Sequence, residues 1–280
     1  MRETEHKNVD SKVVDSFGEE WSRFPQTALA EDERRAMFAD YFKIFPWNQL
    51  PEGAEGADIG CGSGRWAYFV APTVGVLHCV EPSSKALEVA KNALSPSRNC
   101  RFWNCDIDTM PFLDSSLDFA YSLGVLHHTP DPAKALRQCV KKLRKGAPFL
   151  IYVYYAFDNK PLWFRVMWRV SDLFRRAIAK LPLALKAPIT DTIALVIYWP
   201  FSRAARIAEQ FGVPLDSFPL SYYRNRSFYV LRTDALDRFG TRLEHRFTRD
   251  QLLDLMTNAG LHGVQFGTTR PYWCAVGIKG

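Results

Sequence analysis

From Ala57 onward the chain alternates short apolar runs with helix-length stretches that are apolar on one side only. The runs Ala57–Cys61, Gly75–Val80, Arg101–Cys105, Leu117–Leu123 and Phe149–Tyr155 read as five strands of a parallel sheet assembled from βαβ units. The helices between them are punctuated. Ser83, after Pro82, opens one; Asp131 as N-cap and Pro132 at the first helical position open another, with Leu136, Val140 and Leu143 on its apolar face and Gly146 as its stop. Thr248 and Gln251 form a capping box for a late helix ending at Gly260. Two further strands, Leu261–Phe266 and Tyr272–Ile278, lie close enough in sequence to pair as an antiparallel ribbon. The pattern predicts an α/β, doubly wound fold.

Two segments stand outside this alternation. Residues 1–50 read as helical and aromatic, with Phe17, Trp21, Phe24, Phe38, Tyr41 and Phe42 among charged positions, and Pro46 and Pro51 close the section. Residues 158–240 form an insert between the fifth strand and the late helix, so the core consists of 51–157 and 241–280. Within the insert, Leu162–Leu181 reads as an amphipathic helix: Trp163, Val166, Val170, Leu173 and Phe174 recur at helical spacing, opposite Arg165, Arg169, Arg176 and Lys180.

Composition narrows the class. Of 280 residues, 47% are hydrophobic and 24% charged, which excludes a disordered chain, a collagen-like fibre and a coiled coil. Six cysteines occur without a CxxC pair, so neither a zinc centre nor a disulfide scaffold is indicated, no metal site is expected, and a reducing, cytoplasmic setting fits. Charges crowd the first twenty residues, Arg2, Glu3, Glu5 and Lys7 among them, which leaves no room for the apolar core of a secretory signal. The longest apolar stretch, around Ile193–Trp199, is far shorter than the ~20 residues of a spanning helix. The net charge of +6 is local: Lys160–Gln210 holds nine cations against three anions, so the remainder is neutral. A basic insert implies a partner surface of its own.

In a doubly wound sheet, ligands bind beyond the C-terminal ends of the strands, and three successive strands here end in acids. The first ends in Asp58-Ile-Gly60-Cys61-Gly62-Ser-Gly64, where alternate glycines let backbone approach a ligand closely. The second ends at Glu81, placed to accept from ribose hydroxyls. The third ends at Asp106, placed to accept from an exocyclic amine while Ile107 packs on an aromatic base. A dinucleotide site is an alternative: Gly62, Gly64 and Ala67 satisfy G-x-G-x-x-A, and Glu81 follows Gly62 by 19 residues. Asp58, unneeded for a pyrophosphate and well placed for a cationic amine, and Asp106 on the third strand argue against it.

These residues resemble the class I S-adenosylmethionine (SAM) dependent methyltransferases of the small-molecule type, over about Asp58–Leu150 and again in the closing helix and ribbon. The resemblance implies a Rossmann-like, mainly parallel seven-stranded sheet with an antiparallel last strand, here with a helical insert, and SAM as cofactor with S-adenosylhomocysteine as product. It implies that Asp58, Gly60, Cys61, Gly62 and Gly64 hold the methionyl part, Glu81 the ribose, and Asp106 and Ile107 the adenine. The family's fourth-strand motif falls on Leu117–Leu123, which adds Leu123 to the cofactor set. The Gly-Val-Leu-His127-His128 that follows resembles quinone and sugar methyltransferases. There the histidines lie over the methyl-donating end, so either is a candidate base, with an ordering role in the turn as the plainer alternative.

On the acceptor side the candidates are Trp21, in a segment resembling an N-terminal lid; Tyr155 at the end of strand five; and Tyr223, Arg224 and Arg226 before the late helix, where the arginines could clamp an anion. A strand of alternating burial would explain that last run equally. The expected activity is methyl transfer to a small or lipid-linked acceptor, O-methylation favoured. The alternatives are a non-catalytic SAM-binding scaffold and an NAD(P)-dependent oxidoreductase. The insert is read first as an acceptor lid or cap, then as a peripheral membrane contact or a dimer surface. DNA is not expected, because the amine-directed tetrad after strand four is missing; RNA stays open, as does monomer or homodimer.

Overall fold

The computed structural model describes residues 8–280, so residues 1–7, and with them the early charges Arg2, Glu3, Glu5 and Lys7, lie outside the described residues. The chain divides into two compact units: the first runs to Ala156 and resumes at Leu243–Gly280, and the second is Phe157–Arg242.

The first unit holds a seven-stranded sheet: β1 (Glu55–Ile59), β2 (Val76–Val80), β3 (Cys100–Trp103), β4 (Phe119–Leu123), β5 (Pro148–Tyr152), β6 (Leu261–Phe266) and β7 (Cys274–Lys279). Their order is β3-β2-β1-β4-β5-β7-β6, with β7 antiparallel to both neighbours and the first five strands parallel. This is the Rossmann-like sheet expected. Strand order reverses between β1 and β4, which opens a crevice at their C-terminal ends. Helices α1 (Ser11–Arg23), α2 (Glu31–Phe42), α3 (Ala67–Val70), α4 (Ser84–Ala93) and α5 (Pro132–Lys142) belong to this unit.

The local signals explain most boundaries. The Ser83 side chain accepts from Ala86 N at 3.4 Å, and Asp131 accepts from Lys134 N at 2.9 Å ahead of Pro132. The α5 helix ends at Lys142, not at Gly146: Leu143 turns extended (φ −75°, ψ 142°) to bury its side chain, and Gly146 (φ +83°) serves the turn into β5. Strand β1 stops two residues before the expected Cys61, because Gly60 N and Cys61 N both donate to Val80 O and end the ladder there. The early aromatics cover the sheet: Phe42 lies 5.1 Å from the Tyr121 ring and 5.6 Å from Trp47.

The second unit is helical: α6 (Leu162–Ile178), α7 (Leu183–Ile193), a π-helical turn at Ala194–Tyr198, α8 (Trp199–Gln210) and α9 (Phe228–Gly240). Its small core is Ala194, Tyr198, Leu231, Ala235 and Phe239. The run Ser221–Asn225 is a short 3-10 helix, so the strand reading of that segment is corrected. The amphipathic spacing of α6 holds, with Arg165, Arg169 and Arg176 beside the apolar stripe rather than opposite it. The helix buries Asp172 and Arg175 and leaves Leu162, Trp163, Val170, Leu173 and Phe174 exposed. Arg175 Nε donates to Asp172 at 2.6 Å and its Nη1 to Thr241 O at 2.8 Å; Lys186 Nζ donates to Gly240 O at 2.9 Å. Buried cations thus satisfy carbonyls around the C-terminus of α9, where helix carbonyls lack intrahelical partners. Last in the chain, α10 (Arg249–Asn258) returns to the first unit behind its capping box, with Thr248 Oγ1 and Gln251 Oε1 each accepting from the other's backbone N–H. Among the described residues no helix is long and apolar enough to cross a membrane.

Gly56, the second residue of β1, faces the Phe119 ring so closely that a methyl group there would collide with it. Gly56→Ala is expected to cost about 1–3 kcal/mol of stability through overpacking. A lowered urea midpoint at unchanged m-value checks this.

Candidate functional site

The crevice is built by backbone turns that only small residues permit. After β1, Gly62 adopts φ +54° and Gly64 φ +76°; a Cβ on Gly62 would also sit 2.8 Å from the Trp21 indole nitrogen. The Gly62 N–H donates to Glu81 Oε2 at 3.0 Å, and Ser83 N–H donates to Oε1 at 2.9 Å. Glu81 therefore spans the glycine loop and the cap of α4, two adjacent strand ends. Cys61 is buried beside it, and burial together with the neighbouring acids pushes its thiol up to about 11 despite the tempering contact of Cys79.

Asp58 lies one strand over, 1% exposed, with Oδ2 buried and without a hydrogen-bond partner. Burial pushes its carboxyl up to about 8; the nearby Tyr121 phenol partly offsets this, and Glu81 adds to it. Burial pushes Glu81 up to about 7 against the pull of its two backbone donors. Two acids held partly neutral at adjacent strand ends of one crevice are poised to meet a cation. Asp106 is half-buried and caps the short helix Ile107–Thr109, its Oδ1 accepting from Thr109 N–H at 3.0 Å and from the Thr109 hydroxyl at 2.6 Å. Ile107 packs against the main core and Leu123 is buried at the end of β4.

Beyond β4 the two histidines differ. His127 is fully buried, with neither ring nitrogen bonded to a protein group, and burial holds it well below the ordinary imidazole range. Its ring lies 4.1 Å from Tyr154 and 4.0 Å from His128. His128 Nδ1 is 2.7 Å from Leu243 O, and the Phe17 ring is 5.0 Å away. Helix α1 crosses the same region: besides Phe17, its Gly18 sits against Ser83 and its Trp21 against Gly62, with Arg65 stacked over Trp21 at 5.1 Å.

The other acceptor candidates are placed differently. Tyr155 packs in the first unit at 5.6 Å from Tyr272 and 6.3 Å from Trp273. In the second unit, the Tyr223 ring lies tilted, 5.4 Å from that of Tyr198, against that unit's core. Arg224 makes a bidentate pair with Glu209 at 2.8 and 2.9 Å, and Arg226 stacks over Tyr222 at 5.2 Å. The structure brings Arg246, which the sequence did not single out, onto Tyr154, a further acceptor-side candidate at the end of strand five. Arg246 lies over the Tyr154 ring at 5.0 Å, donates from Nε to Glu244 at 2.6 Å and from Nη1 to Tyr155 O at 3.1 Å. Tyr41 bridges Trp66 (4.7 Å) and Tyr152 (5.0 Å). The only local signal was the charged Glu244-His-Arg246 triplet ahead of the capping box.

Residues 57–151 match the family model of the methyltransferase domain. Residues 57–151 thus form a methyltransferase domain of the class I SAM-dependent type. It is similar to a sterol 4-C-methyltransferase of Caenorhabditis elegans, 28% identical over 151 residues, which cover 52% of this chain and 45% of that protein. It is also 32% identical to probable tRNA methyltransferase 9B of Mus musculus over 121 residues, covering 41% and 25% of the two chains. The chain therefore spans less than half the length of these curated relatives. Among solved structures, a possible exported protein from Bordetella parapertussis superposes with a TM-score of 0.54 at 14% identity, covering 93% of this chain and 78% of that one, and shares the fold.

The cofactor of this class is SAM, and the crevice suits it: a glycine cradle that a side chain would fill, and a buried carboxyl oxygen with no protein donor. Without a ligand the two acids carry a cost. In the folded chain Asp58 keeps its proton to about pH 8, whereas in the unfolded chain it is lost above 3.8. Between those values the folded state binds more protons, so stability falls as pH rises. Asp58→Asn stays neutral throughout. It is expected to flatten this fall and to raise the melting temperature near pH ~8 above that of the wild type. Thermal denaturation across the range checks it, and an unchanged slope would mean Asp58 is ionised in the folded protein.

Proposed function

We propose that the protein methylates a hydroxyl on a small or lipid-linked, ring-bearing acceptor. Asp58 would hold the ammonium of SAM and Glu81 its ribose hydroxyls. Asp106 and Ile107 would receive the adenine, and the loop Gly60–Gly64 with Leu123 would line the methionyl segment. When bound, SAM supplies an electrophilic methyl group on a sulfonium. The chain's own contribution is alignment and dryness: orientation alone is worth ~7–11 kcal/mol in favourable systems.

The observation that carries the acceptor reading is His127, a neutral imidazole with both nitrogens free of protein partners at the end of β4. A group kept neutral by burial is ready to take a proton from a hydroxyl as its oxygen attacks. His128, tied to Leu243 O, orients its neighbour. Tyr154 lies along the His127 ring with Arg246 on Tyr154, and Tyr152, Tyr41 and Trp66 extend the aromatic surface, which favours a flat apolar acceptor. Helix α1 would act as the lid, with Trp21 lifting from Gly62 to admit ligand.

Two measurements test this. Placing an ammonium beside Asp58 favours its ionised form, so S-adenosylhomocysteine should bind more tightly as pH rises toward about 8 and should release protons on binding. Calorimetry in buffers of different ionisation enthalpy reads the release, which Asp58→Asn should remove. Labelled methyl transfer from SAM to a panel of phenols, sterols and tRNA reads the acceptor. Label should enter a ring hydroxyl, and His127→Gln should lower kcat about 10²–10⁴-fold while leaving S-adenosylhomocysteine affinity unchanged. Labelling confined to tRNA, or full activity of His127→Gln, would overturn the hydroxyl reading.

A further inference from the structure

Among the described residues, nineteen large hydrophobic side chains are exposed, and all but Leu113 belong to the second unit. They are ordered rather than scattered. On α6, Leu162, Val166, Val170, Leu173 and Ala177 follow one another at three- and four-residue steps, forming a single stripe that faces out while Asp172 and Arg175 face in. Leu173 and Phe174 are 66% and 63% exposed, values no monomeric core helix needs. A second stripe runs along α7 and α8 through Leu185, Ile189, Val196, Trp199, Ile207 and on to Phe211, which is 80% exposed. Exposed apolar surface of this extent marks a contact with another phase or another molecule.

Charge says which. Arg165, Arg169, Arg176 and Lys180 are exposed and, at 100° per residue, fall together along one margin of the α6 stripe. Three acids of this unit are engaged in ion pairs: Asp172 by Arg175 and Arg176, Asp191 by Arg232, and Glu209 by Arg224. Arg176 is thus paired with Asp172 at 2.8 Å, and Arg165, Arg169 and Lys180 carry the rest of the margin's positive charge. Trp163 and Trp199 add the amphipathic rings that favour the level of lipid headgroups. An apolar stripe with a basic margin and exposed tryptophans matches a helix lying in the plane of a bilayer surface. Symmetric pairing of two copies over these stripes would instead bring two basic segments together.

We infer that the second unit docks on an anionic lipid bilayer, with the α6 stripe immersed in the interface and Arg165, Arg169, Arg176 and Lys180 on the headgroups. This goes beyond the methyl-transfer reading and does not depend on it, since binding is measured without turnover. Docking would suit an acceptor that is itself carried by lipid.

The test uses the full chain and vesicles of phosphatidylcholine, with and without phosphatidylglycerol. The wild type should co-sediment with the anionic vesicles, weaken as salt is raised, and shift its tryptophan emission to the blue. Arg165→Glu with Arg169→Glu should lower the partition coefficient on the order of tenfold or more. Leu173→Asp with Phe174→Asp should abolish binding at an unchanged melting temperature, as expected of exposed positions. Wild-type protein that stays in the supernatant with anionic vesicles would overturn the inference. So would a stable dimer in sedimentation velocity that Leu173→Asp with Phe174→Asp dissociates while vesicles recruit nothing.

Discussion

The rest of the site depends on one cost, the burial of carboxyl groups at the switch point of the sheet. Asp58 and Glu81 stand on adjacent strands, registered so that Asp58 pairs with Cys79 two residues before Glu81. Neither is charged without penalty there: burial drives both toward the neutral form, and two backbone donors hold Glu81 in place. A fold selected for stability alone would place apolar groups in the same space. The glycines follow from the same constraint. Gly62 must turn left-handed for its N–H to meet Glu81, and the backbone it then presents is bare enough for Trp21 to lie against.

Helix α1 belongs to this arrangement as well. Its three contacts fall in helical order, Phe17 on His128, Gly18 on Ser83 and Trp21 on Gly62, so one face of one helix touches the end of β4, the cap of α4 and the glycine loop. A helix held by contacts to three separate parts of one crevice shields whatever occupies it from water. The shielding matters for methyl transfer, because a sulfonium methyl has water as its competing acceptor and alignment is worth most when water is absent.

What the sequence disclosed was whatever short range decides. Asp131 before Pro132, and Thr248 with Gln251, cap helices through contacts within three residues, so their reading needed no knowledge of the fold. The three acids were legible because strands of a doubly wound sheet all end on the same side. The termini of β1 and α5 shifted because partners decided them: Val80 O took two donors after Ile59, and Leu143 left its helix for the core. The aromatic and charged surround of His127, with Tyr154, Arg246 and Glu244, joins residues over a hundred positions apart in no local pattern. His127 and His128 look identical in sequence; the Leu243 carbonyl, over a hundred positions away, tethers the second ring and not the first.

The α6 helix shows a different limit. Periodicity reports that apolar side chains share a stripe, and it does so correctly here, but it carries no information about which medium the stripe faces. The natural assumption is that apolar means inward. In the second unit inward positions are claimed by Asp172 and Arg175, because the C-terminus of α9 offers carbonyls that need donors, and Arg175 supplies one to Thr241 O while Asp172 holds its guanidinium. Once a charged pair occupies the inner face, rotating the helix to bury Leu173 and Phe174 would expose that pair's carbonyl partner and strand the ions. Leaving a buried carbonyl or charge unmatched costs more than leaving a few hydrophobic side chains in water. Polar matching inside the unit thus fixes an apolar face outside it, and the sequence around that face supplies the cations that set its margin.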